Sequence, residues 1–232
     1  MVITAEIQQV TAQCNLLAGL NMAEQEEVLA NGRFRQIAQG SYFFHQGEEA
    51  ASLYIITAGR VKLTQINEGG AQVIVNYLGP GSGLGIIVAL SNLAYPLSAE
   101  AVEPCAAMAW DRDTMKSLML HMPQLALNGL EMVAGRFVQV QELFNDMATK
   151  QVEQRVARTL LRLVRQFGSR LEQGVLIDIA LSRQNLAEMT GTDVYQVSRI
   201  LSKWERAGLV NCQRQTIILC KAHELVVIGE DL

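Results

Sequence analysis

The chain has 232 residues, and half of them are hydrophobic, which suits two domains with buried cores and excludes a disordered chain. The formal net charge is −4, and as an average over the chain it argues against nucleic acid as a partner. No apolar run approaches the ~20 residues of a membrane helix, and positions 1–10 lack the pattern of a secretory signal. We therefore expect a cytoplasmic protein with no membrane partner.

Cysteine and histidine spacing bears on metal sites and catalysis. The cysteines lack the close spacing of zinc or iron–sulfur sites, and the histidines are scattered: Cys14, Cys105, Cys212, Cys220, His45, His121 and His223. A roll-shaped enzyme of the cupin type needs clustered His and Glu ligands, so we predict no metal site and no enzyme. Reduced thiols are the simplest state, and a Cys212–Cys220 disulfide is the less favoured alternative.

Residues 30–110 show the texture of a β-domain. Short segments separated by glycine-rich corners are predicted as strands: Arg33–Ile37, Ser41–Phe44, Ser52–Ala58, Arg60–Gln65, Val73–Tyr77 and Ala99–Trp110. Such a series is typical of a barrel or sandwich. The preceding stretch, Glu6–Ala30, has helical apolar spacing and is expected to pack against the strands.

From Asp111 to Ala148 the apolar period changes to about 3.5, which predicts one long helix. Residues at steps of three and four form a narrow seam: Leu127, Leu130, Ala134, Phe137, Gln141, Phe144 and Ala148. The flanking residues suit solvent: Glu131, Arg136, Gln139 and Glu142. A parallel two-helix dimer interface is favoured, and a helix lying on its own barrel is the alternative.

The last third is predicted to be helical with a terminal hairpin. The segments are a helix at Gln151–Phe167, a loop marked by Gly168 and Gly174, helices at Ser182–Thr190 and Val194–Ala207, and strands at Leu209–Cys212 and Thr216–Cys220.

Leu181–Val210 carries the pattern of a helix-turn-helix. Ser182 is suited to cap the first helix, and Gly191 stands where the chain must turn. Asp193 is suited to cap the second helix, with Gln196 returning the bond as in a capping box. A helical hairpin that only packs is the alternative, but cap, turn, core spacing and following hairpin all favour the DNA-binding motif.

The residues of this segment resemble a known family. Its pattern, L-[ST]-R-x-x-[IL]-A-x-x-x-G-x-[ST]-x-x-x-V-S-R-x-L, is met by Leu181, Ser182, Arg183, Leu186, Ala187, Gly191, Val197, Ser198, Arg199 and Leu201. The chain is similar here to the family of the cyclic-AMP receptor protein and the fumarate–nitrate regulator. Asp193 departs from the family's usual Ser or Thr. The segments 44–48, 53–56 and 59–63 resemble the family's cyclic-nucleotide-binding β-roll in order and spacing.

The resemblance covers nearly the whole chain and implies an α+β architecture. Its parts are a double-stranded β-roll sensor with an N-terminal helix at 1–110, a long dimerisation helix at 111–148 and a winged helix-turn-helix at 149–232. It further implies an allosterically controlled homodimer that binds palindromic double-stranded DNA and meets RNA polymerase. Two recognition helices would enter successive major grooves ~34 Å apart.

The expected DNA contacts are transferred from the family one residue at a time. They are Ser182, Arg183, Asp193, Val194, Tyr195, Gln196, Ser198, Arg199, Lys203 and Arg214. Ser182 and Arg183 match phosphate-holding positions, and Arg199 matches the arginine that reads guanine O6 and N7. Tyr195 replaces a glutamate that accepts from cytosine, and Val194 replaces an arginine. We therefore predict a half-site different from the family's TGTGA and TTGAT.

The effector segment departs from the family more strongly. Cyclic-nucleotide binders carry a Glu for the ribose and an Arg for the phosphate, but residues 83–90 and 95–98 contain neither. Cyclic AMP is therefore not expected, since a buried phosphate without a cation costs several kcal/mol. An apolar pocket is predicted from Leu84, Gly85, Ile86, Ile87, Val88, Tyr95, Leu97, Ser98, Leu127 and Leu130.

Several effectors remain open for such a pocket. They are haem with a diatomic gas such as nitric oxide, an apolar small molecule, or no ligand with control by abundance. An iron–sulfur cluster is not expected because Cys14 stands alone, and thiol sensing at Cys105 or Cys212 is a further alternative. A cyclic-nucleotide-type binding module without DNA binding is the competing class.

Charge is divided unevenly along the chain. Up to Ala148 there are 7 basic and 14 acidic residues, and from Thr149 onward there are 12 basic and 9 acidic residues. The acidic average thus describes the predicted sensor, and the basic excess falls where phosphates would be met.

Overall fold

The computed structural model describes residues 5–230. The chain forms two compact units, Met1–Gln139 and Val140–Leu232, and the division falls inside a helix. The three-part division at 110 and 148 follows function and stays a prediction. No helix within residues 5–230 is long and apolar enough to cross a bilayer.

The first unit contains two antiparallel four-stranded sheets. Its strands are β1 Arg33–Ile37, β2 Tyr42–Phe44, β3 Ser52–Ala58, β4 Val61–Ile66, β5 Gln72–Leu78, β6 Gly83–Leu84, β7 Ser98–Ala101 and β8 Cys105–Asp111. The strand orders are β1-β8-β3-β6 and β2-β7-β4-β5. The predicted β-roll is confirmed.

One strand prediction is wrong. Ala99–Trp110 is two strands, β7 and β8, which lie in different sheets. The break falls at residues 102–104, where Pro104 has no backbone N–H to donate to a ladder. The chain uses this point to pass from one sheet to the other.

Helices α1 (Ala5–Ala12) and α2 (Met22–Ala30) precede the sheets. The expected packing against the roll is confirmed, because Leu16, Leu17 and Val28 share a buried cluster with Trp110. The Trp110 Nε1 donates to the Val28 carbonyl at 2.7 Å. A short helix, α3 (Ile87–Leu90), follows β6.

The predicted single helix over 111–148 is also corrected. It is two helices, α4 (Arg112–His121) and α5 (Pro123–Thr149), interrupted at Met122. Proline disfavours helical backbone in the residue before it and is accepted at the start of a new helix. Helix α5 keeps the predicted seam on 27 continuous residues.

The second unit contains α6 (Val152–Phe167), the helix-turn-helix and a four-stranded sheet. The remaining elements are β9 Gly168–Leu171, β10 Gly174–Ile177, α7 Arg183–Thr190, α8 Val194–Arg206, β11 Val210–Gln213, β12 Thr216–Leu219 and α9 Ala222–Glu230. The strand order is β11-β12-β10-β9, so the predicted hairpin is part of a larger sheet.

The loop predicted around Gly168 and Gly174 is a β-hairpin instead. The two glycines begin β9 and β10. A Cβ on Gly174 would lie 2.2 Å from the Leu219 carbonyl oxygen, so the neighbouring strand approaches too closely for any other residue. Gly174 is required here by the close approach of the neighbouring strand, although a pair of glycines in the sequence is also typical of a loop. Helix α9 was not predicted.

Candidate nucleic-acid interface and effector pocket

The turn between α7 and α8 is defined by its caps. The Asn185 N–H donates to Ser182 Oγ at 3.0 Å, and the Ser182 N–H donates to Asn185 Oδ1 at 2.9 Å. Gly191 ends α7 in the left-handed region at φ +59°, which non-glycine residues enter at a cost. The predicted cap at Ser182 and the predicted sharp turn at Gly191 are both confirmed.

Asp193 caps α8 as predicted, but the returning bond differs. Its Oδ1 accepts from the Gln196 N–H at 2.8 Å, and its Oδ2 accepts from Gln196 Nε2 at 2.9 Å. The expected capping box is therefore wrong, because the Gln196 amide binds the carboxylate rather than the Asp193 backbone. Hydrogen bonding from Gln196 lowers the pKa of Asp193. Both side chains are engaged with each other at the start of α8.

Helix α8 has a buried face and a solvent face. Val197, Ile200, Leu201 and Trp204 are buried in the second unit. On the other face Tyr195 is 77% exposed and Arg199 is exposed. The helix therefore presents polar and aromatic side chains near its N-terminus, where a recognition helix meets base edges.

The other predicted DNA contacts differ in their surroundings. Arg183 is exposed at the start of α7, and Arg214 is exposed in the turn joining β11 and β12. Lys203 is held by Glu153, whose carboxylate oxygens accept from its Nζ at 2.8 and 3.1 Å. This ion pair competes with a phosphate contact, so Lys203 is the least available cation of the predicted set.

Most predicted effector residues do lie together inside the roll. Leu84, Val88 and Tyr95 are buried in one cluster, with Ile87 and Leu97 packed against it. The Tyr95 ring stacks on Phe44 with centroids 3.7 Å apart.

Three of the predicted effector residues, Tyr95, Ser98 and Gly85, make hydrogen bonds or turn the chain. The Tyr95 hydroxyl donates to the Ser52 carbonyl at 2.6 Å. Ser98 Oγ accepts from the Gln46 N–H at 2.9 Å. Gly85 turns the chain at φ +68°.

Three predicted pocket residues lie elsewhere. Ile86 packs in the other cluster, among the N-terminal helices. Leu127 and Leu130 are 54% and 55% exposed on α5. Within one chain they line no interior with the roll residues, and they belong instead to the exposed seam.

Sequence reasoning missed Arg136, which it placed on the solvent flank of the seam. In the structure this side chain is shielded, and its Nη2 donates to the Gly83 carbonyl. Burial lowers the pKa of its guanidinium, and the nearby Cys14 raises it. Its hydrogen-bond partner in residues 5–230 is this carbonyl alone. The exposed seam position Phe137 follows it directly, so the heptad spacing gave no signal of its burial.

The histidines do not fit an axial ligand to haem in the roll. The His45 ring is exposed and packs on Tyr42 with centroids 4.2 Å apart. His121 is exposed, and its Nδ1 lies 2.7 Å from the Ser117 carbonyl.

Cys105 and Cys212, the thiols considered for redox sensing, both have raised pKa values. Burial, followed by the nearby Glu103, raises the pKa of Cys105 to about 11. Burial and Glu205 raise the pKa of Cys212 to about 11. A thiol reacts as its thiolate, so both are less reactive near neutral pH than an ordinary cysteine. All four cysteines are free.

Comparisons with known proteins place these features in context. Residues 34–121 match the cyclic nucleotide-binding domain, and residues 154–228 match the Crp-like helix-turn-helix domain. The chain is 26% identical over 187 residues to the global nitrogen regulator of Synechococcus elongatus, covering 80% of this chain and 84% of that protein. It is 29% identical over 202 residues to the cyclic AMP receptor protein of Thermus thermophilus, covering 87% and 90%. The structure of FixK2 from Bradyrhizobium japonicum shares the fold, with a TM-score of 0.76 at 20% identity over 85% of this chain and 96% of that one.

Proposed function

The chain belongs to the family of transcription regulators that includes the cyclic-AMP receptor protein and the fumarate–nitrate regulator, and from this we propose that it is a dimeric, sequence-specific DNA-binding regulator that reads DNA with α8. The observation that carries the proposal is the solvent face of α8. There Tyr195 and Arg199 stand free on a helix whose opposite face is fully buried. A helical hairpin that only packs would not need an arginine and a tyrosine exposed at this end.

Phosphate binding is the first test of this proposal. Arg183 and Arg214 are exposed cations outside the base-reading helix, and they suit positioning contacts to phosphate. We expect the affinity for a random-sequence duplex to fall steeply with salt, because phosphate neutralisation releases counterions. Affinity that is absent at low salt would contradict DNA binding.

The dimer is supported by the seam on α5. Phe137 and Phe144 are 62% and 75% exposed in the single chain, and burial of such aromatic side chains against a second copy is favourable. We expect Phe137→Glu and Phe144→Glu to give monomers in sedimentation. Leu120→Glu is the matched control, since Leu120 is 82% exposed on α4 and outside the seam. Unchanged dimers of both seam variants would contradict the interface.

The effector is proposed to be a small molecule other than a cyclic nucleotide. Arg136 supports a carboxylate on it, because a shielded guanidinium bonded to one carbonyl gains much from such a partner, and residues 83–90 and 95–98 still lack the Glu that would hold a ribose. A panel of small organic acids, followed by thermal unfolding, tests this. We expect at least one acid to raise the Tm of the wild type and not of Arg136→Gln. Equal shifts in both proteins would contradict the role of Arg136.

Three other modes of control remain alternatives: haem with a diatomic gas, control by abundance and a thiol switch. Haem has the least support in the described residues, because His45 and His121 are exposed. Purification with haem supplied tests this alternative. A Soret band that survives gel filtration would favour haem over an acidic effector. Contact with RNA polymerase and a cytoplasmic location stay predictions from the family resemblance.

A further inference from the structure

Arg155, in the first turn of α6, donates hydrogen bonds to backbone carbonyls of two segments, one before it and one after it in the chain. The Arg155 Nε donates to the Thr190 carbonyl at 2.9 Å, and its Nη1 donates to the Lys150 carbonyl at 2.9 Å. Its Nη2 makes a longer contact of 3.5 Å with the Gly191 carbonyl. One planar guanidinium thus spans two segments that are 40 positions apart in the chain.

These acceptors lie at the ends of two helices. Lys150 follows the last residue of α5, and Thr190 and Gly191 form the C-terminal end of α7. Helix C-termini carry carbonyls without intrahelical donors and a partial negative charge, so a cation there is favourable. The rigid fork of arginine suits two acceptors at fixed separation, which a lysine ammonium cannot reproduce.

A second contact links the same two places. Met147, in the last turn of α5, lies against Gly191, where an added Cβ would be 2.9 Å from its Cε. Glu153, two positions before Arg155 on α6, accepts from Lys203 and from the Trp204 Nε1 on α8. The junction of α5 and α6 is therefore bonded to the turn before the recognition helix and to the end of that helix.

We propose that Arg155 is a positioning residue that couples the last turn of α5 to the helix-turn-helix and so fixes the orientation of α8 relative to that turn. The role rests on the proposed DNA-binding function for its biological meaning, and the coupling itself does not. Arg155 is half-buried and its fork is occupied by carbonyls, so it acts through Thr190 and Lys150 and not through phosphate.

If Arg155 couples the two segments, its substitution should reduce protection from hydrogen exchange in both of them. The Lys150 N–H donates to the Asp146 carbonyl at 3.0 Å, and the Thr192 N–H donates to the Ala187 carbonyl at 3.1 Å. These amides lie on opposite sides of the fork. In full-length Arg155→Lys, we expect both to exchange hydrogen for deuterium at least tenfold faster, while amides in the middle of α8 are unchanged.

DNA binding gives the second readout. Arg155→Lys and Arg155→Ala are compared with Arg165→Ala, which removes the same charge from an exposed position in the last turn of α6. We expect both Arg155 variants to weaken binding of a selected duplex about tenfold or more with an unchanged salt slope, and Arg165→Ala to have a small effect.

Each other result overturns the proposal. A salt slope lowered by about one would make Arg155 a phosphate contact. If hydrogen exchange changes at only one of the two amides, or at neither, the proposed coupling is contradicted. If Arg155→Lys behaves like the wild type, the two-acceptor geometry of the guanidinium is not required. A wild-type protein that binds no DNA refutes the proposed function, whereas the exchange measurement still decides the coupling.

Discussion

The Glu153 carboxylate accepts a hydrogen bond from the indole Nε1 of Trp204 at 2.9 Å. Trp204 is 1% exposed, and Glu153 supplies the acceptor for its indole N–H. The same carboxylate holds Lys203. One acidic side chain therefore satisfies a buried indole and an exposed ammonium, both on α8.

Glu153→Ala is expected to lower the free energy of unfolding by about 1–3 kcal/mol, because it removes the charged acceptor of the Trp204 indole N–H. Glu153→Gln keeps an acceptor and should lose less. Urea unfolding followed by tryptophan fluorescence measures both. Glu172→Ala is the control, as Glu172 is exposed in the turn between β9 and β10. Equal stability of the Glu153→Ala and Glu172→Ala proteins would refute the assignment.

Gly191→Ala should be slightly more damaging than Gly208→Ala, because the flexible end of Met147 must move to make room. Both glycines have positive φ, +59° and +69°, so each alanine meets the left-handed penalty of roughly 1–2 kcal/mol. Only Gly191 has a neighbour, Met147, inside the space of the new Cβ, whereas nothing lies within 4 Å at Gly208. In a Met147→Ala background we expect the difference in unfolding free energy between the two variants to shrink. A difference that persists there would show that Met147 is not its cause.

Arg199→Ala is expected to cost about 1–3 kcal/mol of binding free energy per half-site and to relax preference at one base position. Arg214→Ala, in the turn of the hairpin, should weaken binding evenly across sequences and lower the salt slope by about one. Fluorescence anisotropy with single-base variants of a selected duplex separates the two. Even weakening by Arg199→Ala would show that it contacts phosphate.

Alkylation of Cys212 by iodoacetamide should be slow near pH 8. With its pKa raised from 9.0 to about 11, the thiolate fraction falls about a hundredfold. The greater nucleophilicity of a more basic thiolate recovers about tenfold of this, so the net rate should be about tenfold below that of the unfolded chain.

The pH dependence of this thiol has a definite sign. A raised pKa means that the folded state favours the neutral thiol. Its contribution to stability is therefore complete below pH 9 and is lost as pH rises toward 11. In a variant that keeps Cys212 alone, the alkylation rate should continue to rise above pH 9. A plateau near pH 9 would contradict the shift.

Local patterns predicted the second unit well because its signals are short-range. The cap at Ser182, the turn at Gly191 and the buried face containing Val197 and Trp204 each follow from spacing within a few residues. The β9–β10 hairpin was missed because Gly174 is required by the approach of Leu219, which is 45 positions away. A contact of that kind leaves no periodic trace in the sequence.

The effector region shows the limit of spacing rules more clearly. Leu84, Val88 and Tyr95 were placed together from one continuous segment, and they do share a cluster. The seam pattern predicts Arg136 in solvent, because a charged residue beside a narrow apolar seam suits the exposed flank. The burial of Arg136 depends on Gly83, which only the folded chain brings beside it.

We propose that this chain reads a DNA palindrome with Val194, Tyr195 and Arg199 on α8. Selection from a random duplex library by the full-length protein at near-physiological salt is the decisive test. We expect an enriched palindrome whose half-site centres are 10–10.5 base pairs, or a multiple of that, apart. Each half-site should contain a guanine that the wild type requires and that the Arg199→Ala protein no longer prefers. The half-site sequence should differ from TGTGA and TTGAT. Recovery of either of those sites, or no enrichment at all, would contradict it.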